Sequence, residues 1–192
     1  MSLFLLFLSA FLINNIIFMR FIGLCPYFGL SSKLDTSIGM GFSVIFVVVL
    51  SSVITWFLYK FVLLPLNLVF LRTTVFILVI ATVVQFIELY FKKYIPVLYS
   101  AFGIYLPLIT TNCVVLAVAF LNVDYNHNLL QTIVYSLGVS GGFALAIVMM
   151  AGIRMRIETA PIPEPMKGLP IAFITASLIA LAFLGFKGLL GL

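Results

Sequence analysis

Charge is scarce in this chain: 8% of its 192 residues are Asp, Glu, Lys or Arg, where soluble domains carry about a quarter. Together with a 65% hydrophobic content, this excludes a water-soluble domain and marks an integral membrane protein. Other shortages narrow the chemistry. A single histidine and two cysteines cannot furnish the four protein ligands that a structural zinc site or an iron-sulfur cluster usually takes. Strict apolar/polar alternation is missing, which excludes a membrane barrel. No basic region precedes the first apolar run and no small-residue cleavage site follows it, so the N-terminal segment is expected to stay as a structural helix. There is no nucleotide loop and no flavin-attachment motif, and catalysis by this chain alone is not expected.

Solid apolar blocks predict an all-α integral membrane protein of six transmembrane helices. The blocks fall at about 3–24, 37–59, 71–91, 102–121, 129–152 and 170–190, and each is of a length that spans a bilayer. The joints between them collect the prolines, glycines, asparagines and charges. Basic residues follow the odd-numbered spans: Arg20, Lys33, Lys92, Lys93, Arg154, Arg156 and Lys167, against Lys60, Arg72 and Lys187 on the other side. Basic residues are retained in the cytoplasm, so both termini are expected on the outer side. The net charge of +5 follows from that asymmetry, with membrane lipid as its natural counterpart and no nucleic acid required.

Polar residues inside spans carry more information, because burying them without partners is costly. They form two clusters, Asn14-Asn15 followed by Arg20 and "GLCPYFG", and Thr110, Thr111, Asn112 and Cys113 after Pro107. Each cluster falls in the first span of a three-span half. Three spans per half invert the second half, the arithmetic of inverted repeats with interrupted first and fourth helices, here about 1–95 and 96–192 of a single membrane domain, 1–192. Gly23, Pro26 and Gly29 are expected to break the first helix and hold Cys25 within the membrane, with Cys113 near the middle of its own span. Two cysteines, one per half, read either as small packing hydrophobes or as half of an iron-sulfur site completed by a partner protein. A disulfide is disfavoured by their position.

The segments "NN" at 14–15, "FIGLCPYFGLSSKLDTSIGMG" at 21–41, "LRTTVFILVIATVVQFIEL" at 71–89, "LPLITTNCVVLAVAFLN" at 106–122 and "NHN" at 126–128 carry a resemblance over nearly the entire chain. It resembles the RnfA (RsxA) family of Rnf ion-translocating electron transport complexes, whose cognate in the sodium-translocating NADH:quinone oxidoreductase is the NqrE family. The resemblance implies a bacterial inner-membrane component of a ferredoxin:NAD oxidoreductase that moves Na+ or H+. It implies a homologous partner, RnfE, in the opposite orientation, together with RnfB, RnfC, RnfD and RnfG. It also implies a shared intramembrane 2Fe-2S cluster, held on this chain by Cys25 and Cys113. Asn14, Asn15, Thr110, Thr111 and Asn112 are then expected around the cluster or along the ion path.

A small secondary transporter with inverted repeats, or a scaffold protein, would explain the polar clusters without a cofactor. Among the remaining residues, Glu88 is expected at the interface beside Lys92 and Lys93, and Arg20 is expected to snorkel to the headgroups. Asp124 and His127 are expected to be solvated in an outer loop, while Trp56, Tyr59 and Tyr94 suit interfacial anchoring.

Overall fold

The computed structural model describes residues 3–31, 33–65, 69–94 and 112–185. Every regular element among them is helical. Helix α1 (Leu3–Leu8) runs into a π-helical turn (Ser9–Ile13), followed by α2 (Ile16–Arg20), α3 (Leu24–Leu30), α4 (Leu34–Leu58, continued by a π-helical turn to Leu63) and α5 (Arg72–Tyr94). Then come α6 (Cys113–Asp124), α7 (Leu129–Glu158) and α8 (Leu169–Leu184). Two helices, Leu34–Leu63 and Leu129–Glu158, have 30 residues each and are apolar enough to cross a membrane; the helices over 3–13, 72–86, 113–124 and 169–184 are shorter and apolar. At about 1.5 Å per residue, the two long ones exceed the roughly 30 Å of a hydrocarbon core.

The apolar side chains are not all inside. Phe42, Phe46, Phe61, Leu78, Phe173 and Leu181 are exposed, while Ser37, Ser51, Ser52, Thr55, Thr132, Ser136 and Ser140 are buried. Such a distribution suits a lipid environment, where a leucine gains nothing by turning inward and small polar residues let helices approach closely. Gly142 shows the approach: a Cβ there would lie 2.6 Å from the carbonyl oxygen of Phe11, so α7 and the end of the first helix meet backbone to backbone. The antiparallel pair α4 and α7 forms the centre, with Met40, Val44, Val48, Phe143, Ala146 and Ile147 fully buried.

The first predicted span, 3–24, is broken twice. At Asn14 and Asn15 the backbone leaves the helix, and Asn15 then caps α2. At Phe21 and Gly23 it turns left-handed, with φ +55° and +87°. Gly23 is thus a break, as expected, whereas Pro26 and Gly29 lie inside α3. Pro26 is the third residue of that helix, where an N–H has no intrahelical acceptor to lose; the first bond is made by Tyr27, from its N–H to the Gly23 carbonyl at 3.3 Å.

Candidate metal centre

Depth in the bundle can be read along α7, whose 30 residues have their midpoint at Phe143 and Ala144. The Asn15 side-chain amide donates to the Gly142 carbonyl at 2.9 Å. Eight residues later Gly23 faces Phe143, with a Cβ there only 3.3 Å from the ring. The segment 15–23 therefore leaves α7 at mid-depth and returns at the same level. Gly23 also meets α6: its Cβ would fall 2.4 Å from Cγ2 of Val114. Cys25 comes two residues after Gly23 and Cys113 immediately precedes Val114, so the two cysteines stand on adjoining segments near the middle of the bundle.

Their surroundings are alike. Cys25 is the second residue of α3 and Cys113 the first of α6. Both thiols are free and exposed, although Pro26, Tyr27, Val114 and Val115 beside them are buried. Asparagine fixes the chain before each. The Asn15 side-chain oxygen accepts from the Ile17 N–H at 3.1 Å, and that of Asn112 accepts from the Val114 N–H at 3.0 Å, each satisfying one of the free donors at a helix start. The side-chain amide of Asn15 donates to the Gly142 carbonyl, whereas Nδ2 of Asn112 is buried with no partner among the described residues. Asn14 turns away to donate to Ser9 Oγ at 3.1 Å. Thr110 and Thr111 lie outside the described residues, as does Tyr94 beyond its backbone and the side chain of Glu88.

Among the described residues no group of three or more His, Cys, Asp or Glu converges on one point. The donor set at the candidate centre is two thiols, which fits half of a four-cysteine cluster. Arg154 secures the far end of the Cys25 helix, donating from Nη1 to the Phe28 carbonyl and to Ser31 Oγ, both at 2.9 Å.

Two outer residues, Arg20 and His127, differ from expectation, while Asp124 is exposed as expected. Arg20 does not point toward Lys33; its guanidinium donates to the Tyr125 hydroxyl at 2.8 Å, because the 15–23 excursion runs along mid-depth and leaves the side chain facing the Trp56 end. Asp124 is paired with Arg72 at 2.7 Å. His127 is half-buried against Tyr125 and Tyr135, its Nδ1 is 3.1 Å from Asn122 Oδ1, and burial pushes its pKa below the usual value. Trp56 does reach this end, donating its indole N–H to the His127 carbonyl at 2.9 Å. The Gly23–Val114 contact, the Arg154 clamp and the buried hydroxyls of α7 were missed from sequence, though "TIVYSLGVS" places Thr132, Ser136 and Ser140 at one-turn spacing.

A model of the family described as "Rnf-Nqr subunit, membrane protein" matches residues 3–190. The chain is 53% identical to the A-subunit of the ion-translocating oxidoreductase complex of Photorhabdus laumondii over 97% of its length and 96% of the relative's. The same named component of Yersinia enterocolitica is 53% identical over 96% of both chains. The A-subunit of the proton-translocating ferredoxin:NAD(+) oxidoreductase complex of Clostridium ljungdahlii is 50% identical over 97% of both. A resemblance first carried by cysteine, asparagine and glycine motifs thus extends over almost every residue, and the chain belongs to the Rnf-Nqr family of membrane subunits.

Proposed function

We propose that this chain is the membrane component that holds half of an intramembrane 2Fe-2S cluster in an ion-translocating ferredoxin:NAD oxidoreductase complex, with Cys25 and Cys113 as its ligands. The observation that carries the reading is the pair itself: the only two cysteines of the chain are exposed and free on adjoining segments near mid-depth. Four thiolates complete such a cluster, so two more come from the homologous RnfE in the opposite orientation, with RnfB, RnfC, RnfD and RnfG around the pair. Bound there, the cluster would take up and release one electron inside the hydrocarbon layer, linking redox centres on the two sides.

The chain's own contribution is positional. Asn15 and Asn112 set where α2 and α6 begin, and Gly23 lets the two cysteine segments touch, packed against Val114 and Phe143. Nδ2 of Asn112, without a partner among the described residues, is a hydrogen-bond donor one residue from Cys113, and donors near cluster sulfurs raise the potential. Thr110 and Thr111 belong to the same neighbourhood by sequence.

Six spans in two inverted repeats, about 1–95 and 96–192, are supported by the twin caps. Asn15 precedes one 30-residue helix and Asn112 the other, and those two helices run antiparallel, as equivalent elements of inverted halves must. With Arg20 moved to the Trp56 end, the basic residues divide six against four by sequence, still favouring the Lys33 end as cytoplasmic. Both termini then lie on the periplasmic side of the bacterial inner membrane.

Iron quantitation and low-temperature EPR on the purified complex test the reading, with Cys25→Ser and Cys113→Ser compared after confirming that partner proteins copurify. Loss of one 2Fe-2S signal and about two irons in either variant is expected. Unchanged iron and spectra with assembly intact would leave the cysteines as packing residues and favour a transporter or scaffold without cofactor.

A further inference from the structure

The chain has five acidic residues, and their places decide what Arg20 can pair with. Asp35 lies in the first turn of α4 and Glu158 closes α7, so both stand at the Lys33 end, with Glu164 in the joint that follows. Glu88 lies on α5 roughly 24 Å from Arg72 at about 1.5 Å per residue, far from the Trp56 end. Only Asp124 shares that end with Arg20, and Arg72 holds it at 2.7 Å. The Arg20 guanidinium is bonded instead to a phenol, the Tyr125 hydroxyl at 2.8 Å. No carboxylate of its own chain is left for it, and a charge in the membrane zone is costly without a counter-charge.

Arg20 lines a cavity of about 220 Å³ between the first helix, the 125–127 loop and α7. Asn14, Tyr125, His127 and Tyr135 line it as well, and Leu6 and Ala10 form an apolar wall. The three rings stand together: Tyr135 is 5.1 Å from His127 and 6.1 Å from Tyr125 between centroids. Nδ1 of His127 is engaged by Asn122. The Tyr135 hydroxyl makes no hydrogen bond among the described residues, and Tyr125, which accepts from Arg20, keeps its own proton to donate. What converges on the cavity is a set of free donors beside one full positive charge.

Such a set calls for an oxyanion. The planar fork of arginine pairs with phosphate or carboxylate, and donors from three separate elements, α2, the loop and α7, surround a tetrahedral phosphate better than a flat carboxylate. Trp56, bonded to the His127 carbonyl, marks the aromatic belt at headgroup level, where a bilayer supplies phosphodiesters. We infer that Arg20, Tyr125 and Tyr135 form a binding site for a phosphate oxyanion, carried by a phospholipid headgroup or free in solution, at the Trp56 end of the bundle. The site is separate from the cysteine pair and does not depend on the cluster.

The test uses the purified complex, stripped of lipid by detergent exchange and held near pH 7.5, about one unit above the ordinary histidine value, so that His127 is neutral. It is titrated with dioctanoyl phosphatidylglycerol, with inorganic phosphate and, as a phosphate-free control, with dioctanoylglycerol, and binding is read by calorimetry and native mass spectrometry. Phosphatidylglycerol is expected to fill a site that Arg20→Gln weakens about tenfold or more, Arg20→Lys less, and Tyr135→Phe severalfold. Lys60→Gln removes a charge that lies over the Trp56 ring, outside the cavity, and should bind as wild type does. Displacement of phosphatidylglycerol by inorganic phosphate supports the site with free phosphate as a ligand; binding indifferent to inorganic phosphate supports it with the lipid as the source. Equal affinity in wild type and Arg20→Gln, or dioctanoylglycerol bound as tightly as phosphatidylglycerol, overturns the site. A wild type that binds neither phosphate probe saturably also overturns it, and if Arg20→Gln then loses partner proteins, the counter-charge belongs to a partner's carboxylate. Should Arg20→Gln fail to assemble, Arg20→Lys and Tyr135→Phe read the same site, and unchanged affinity in both overturns it.

Discussion

Gly23 and Val114 touch so closely that a Cβ on Gly23 would lie 2.4 Å from Val114 Cγ2. The contact joins the two cysteine-bearing segments, and only glycine fits it. Besides the overlap, alanine at φ +87° meets the left-handed penalty of about 1–2 kcal/mol, and overpacking typically adds about 1–3 kcal/mol. Gly23→Ala is therefore expected to lose most of the cluster iron while both cysteines remain. Val114→Ala in the same chain should restore part of it, since the two residues share one contact. Iron content of the single and double variants gives the answer; equal iron in Gly23→Ala and wild type would refute the close approach.

The exposure of both thiols has a direct chemical readout. In the chain expressed without partners, Cys25 and Cys113 are both expected to react with a small membrane-permeant maleimide. In the assembled complex neither should, since the proposed cluster would cover and ligate both. Mass spectrometry of the labelled chain decides this. A cysteine still labelled in the intact complex would be removed from the ligand set.

Composition alone reveals the all-helical membrane class, and the two polar clusters mark both helix starts that matter, Asn15 and Asn112. The exact break points were less legible. Pro26 looks like a breaker in sequence, yet its place in a first turn makes it harmless, and the actual turn falls on Phe21 and Gly23. Depth was hidden for another reason: that residues 15 and 23 sit at one level depends on two contacts with α7, more than a hundred residues away in the chain. The same distance conceals the Arg20–Tyr125 and Arg72–Asp124 pairs, which no local pattern announces. The hydroxyl stripe of α7 is visible as a period of four, but serines at that spacing serve ordinary helix packing, and Ser136 and Ser140 do find partners.

Arg154 reaches the Phe28 carbonyl and Ser31 Oγ from a helix 123 residues further along. Hydrogen bonds from a charged donor are worth about 1.5–3 kcal/mol, and these two hold the C-terminal end of the Cys25 helix. Arg154→Gln is expected to lower the melting temperature of the complex and broaden the cluster EPR line as α3 loosens. Arg154→Lys keeps the charge but lacks the planar fork, and should fall between. A thermal shift without any spectral change would make Arg154 a stabilising residue unconnected with Cys25.

The single tryptophan of the chain reports on the single histidine. Trp56 donates to the His127 carbonyl, and burial holds the imidazole below its usual value of 6.5. A depressed histidine pKa means that the packed loop binds a proton less readily than the released one. Its stabilisation is present above about pH 6.5 and is lost as pH falls from there through the folded value. Protonation keeps Nδ1 a donor to Asn122 Oδ1, so it is the desolvation of the charged ring that works against the packed loop. Trp56 emission is therefore expected to shift to longer wavelength as pH falls below about 6.5, as the loop over residues 125–128 loosens and the indole meets water. His127→Gln, which cannot gain a proton, should show a flat profile over the same range. A wild-type profile equally flat from pH 7 to pH 5 would show that His127 does not control the loop, and a shift retained in His127→Gln would assign it to another group.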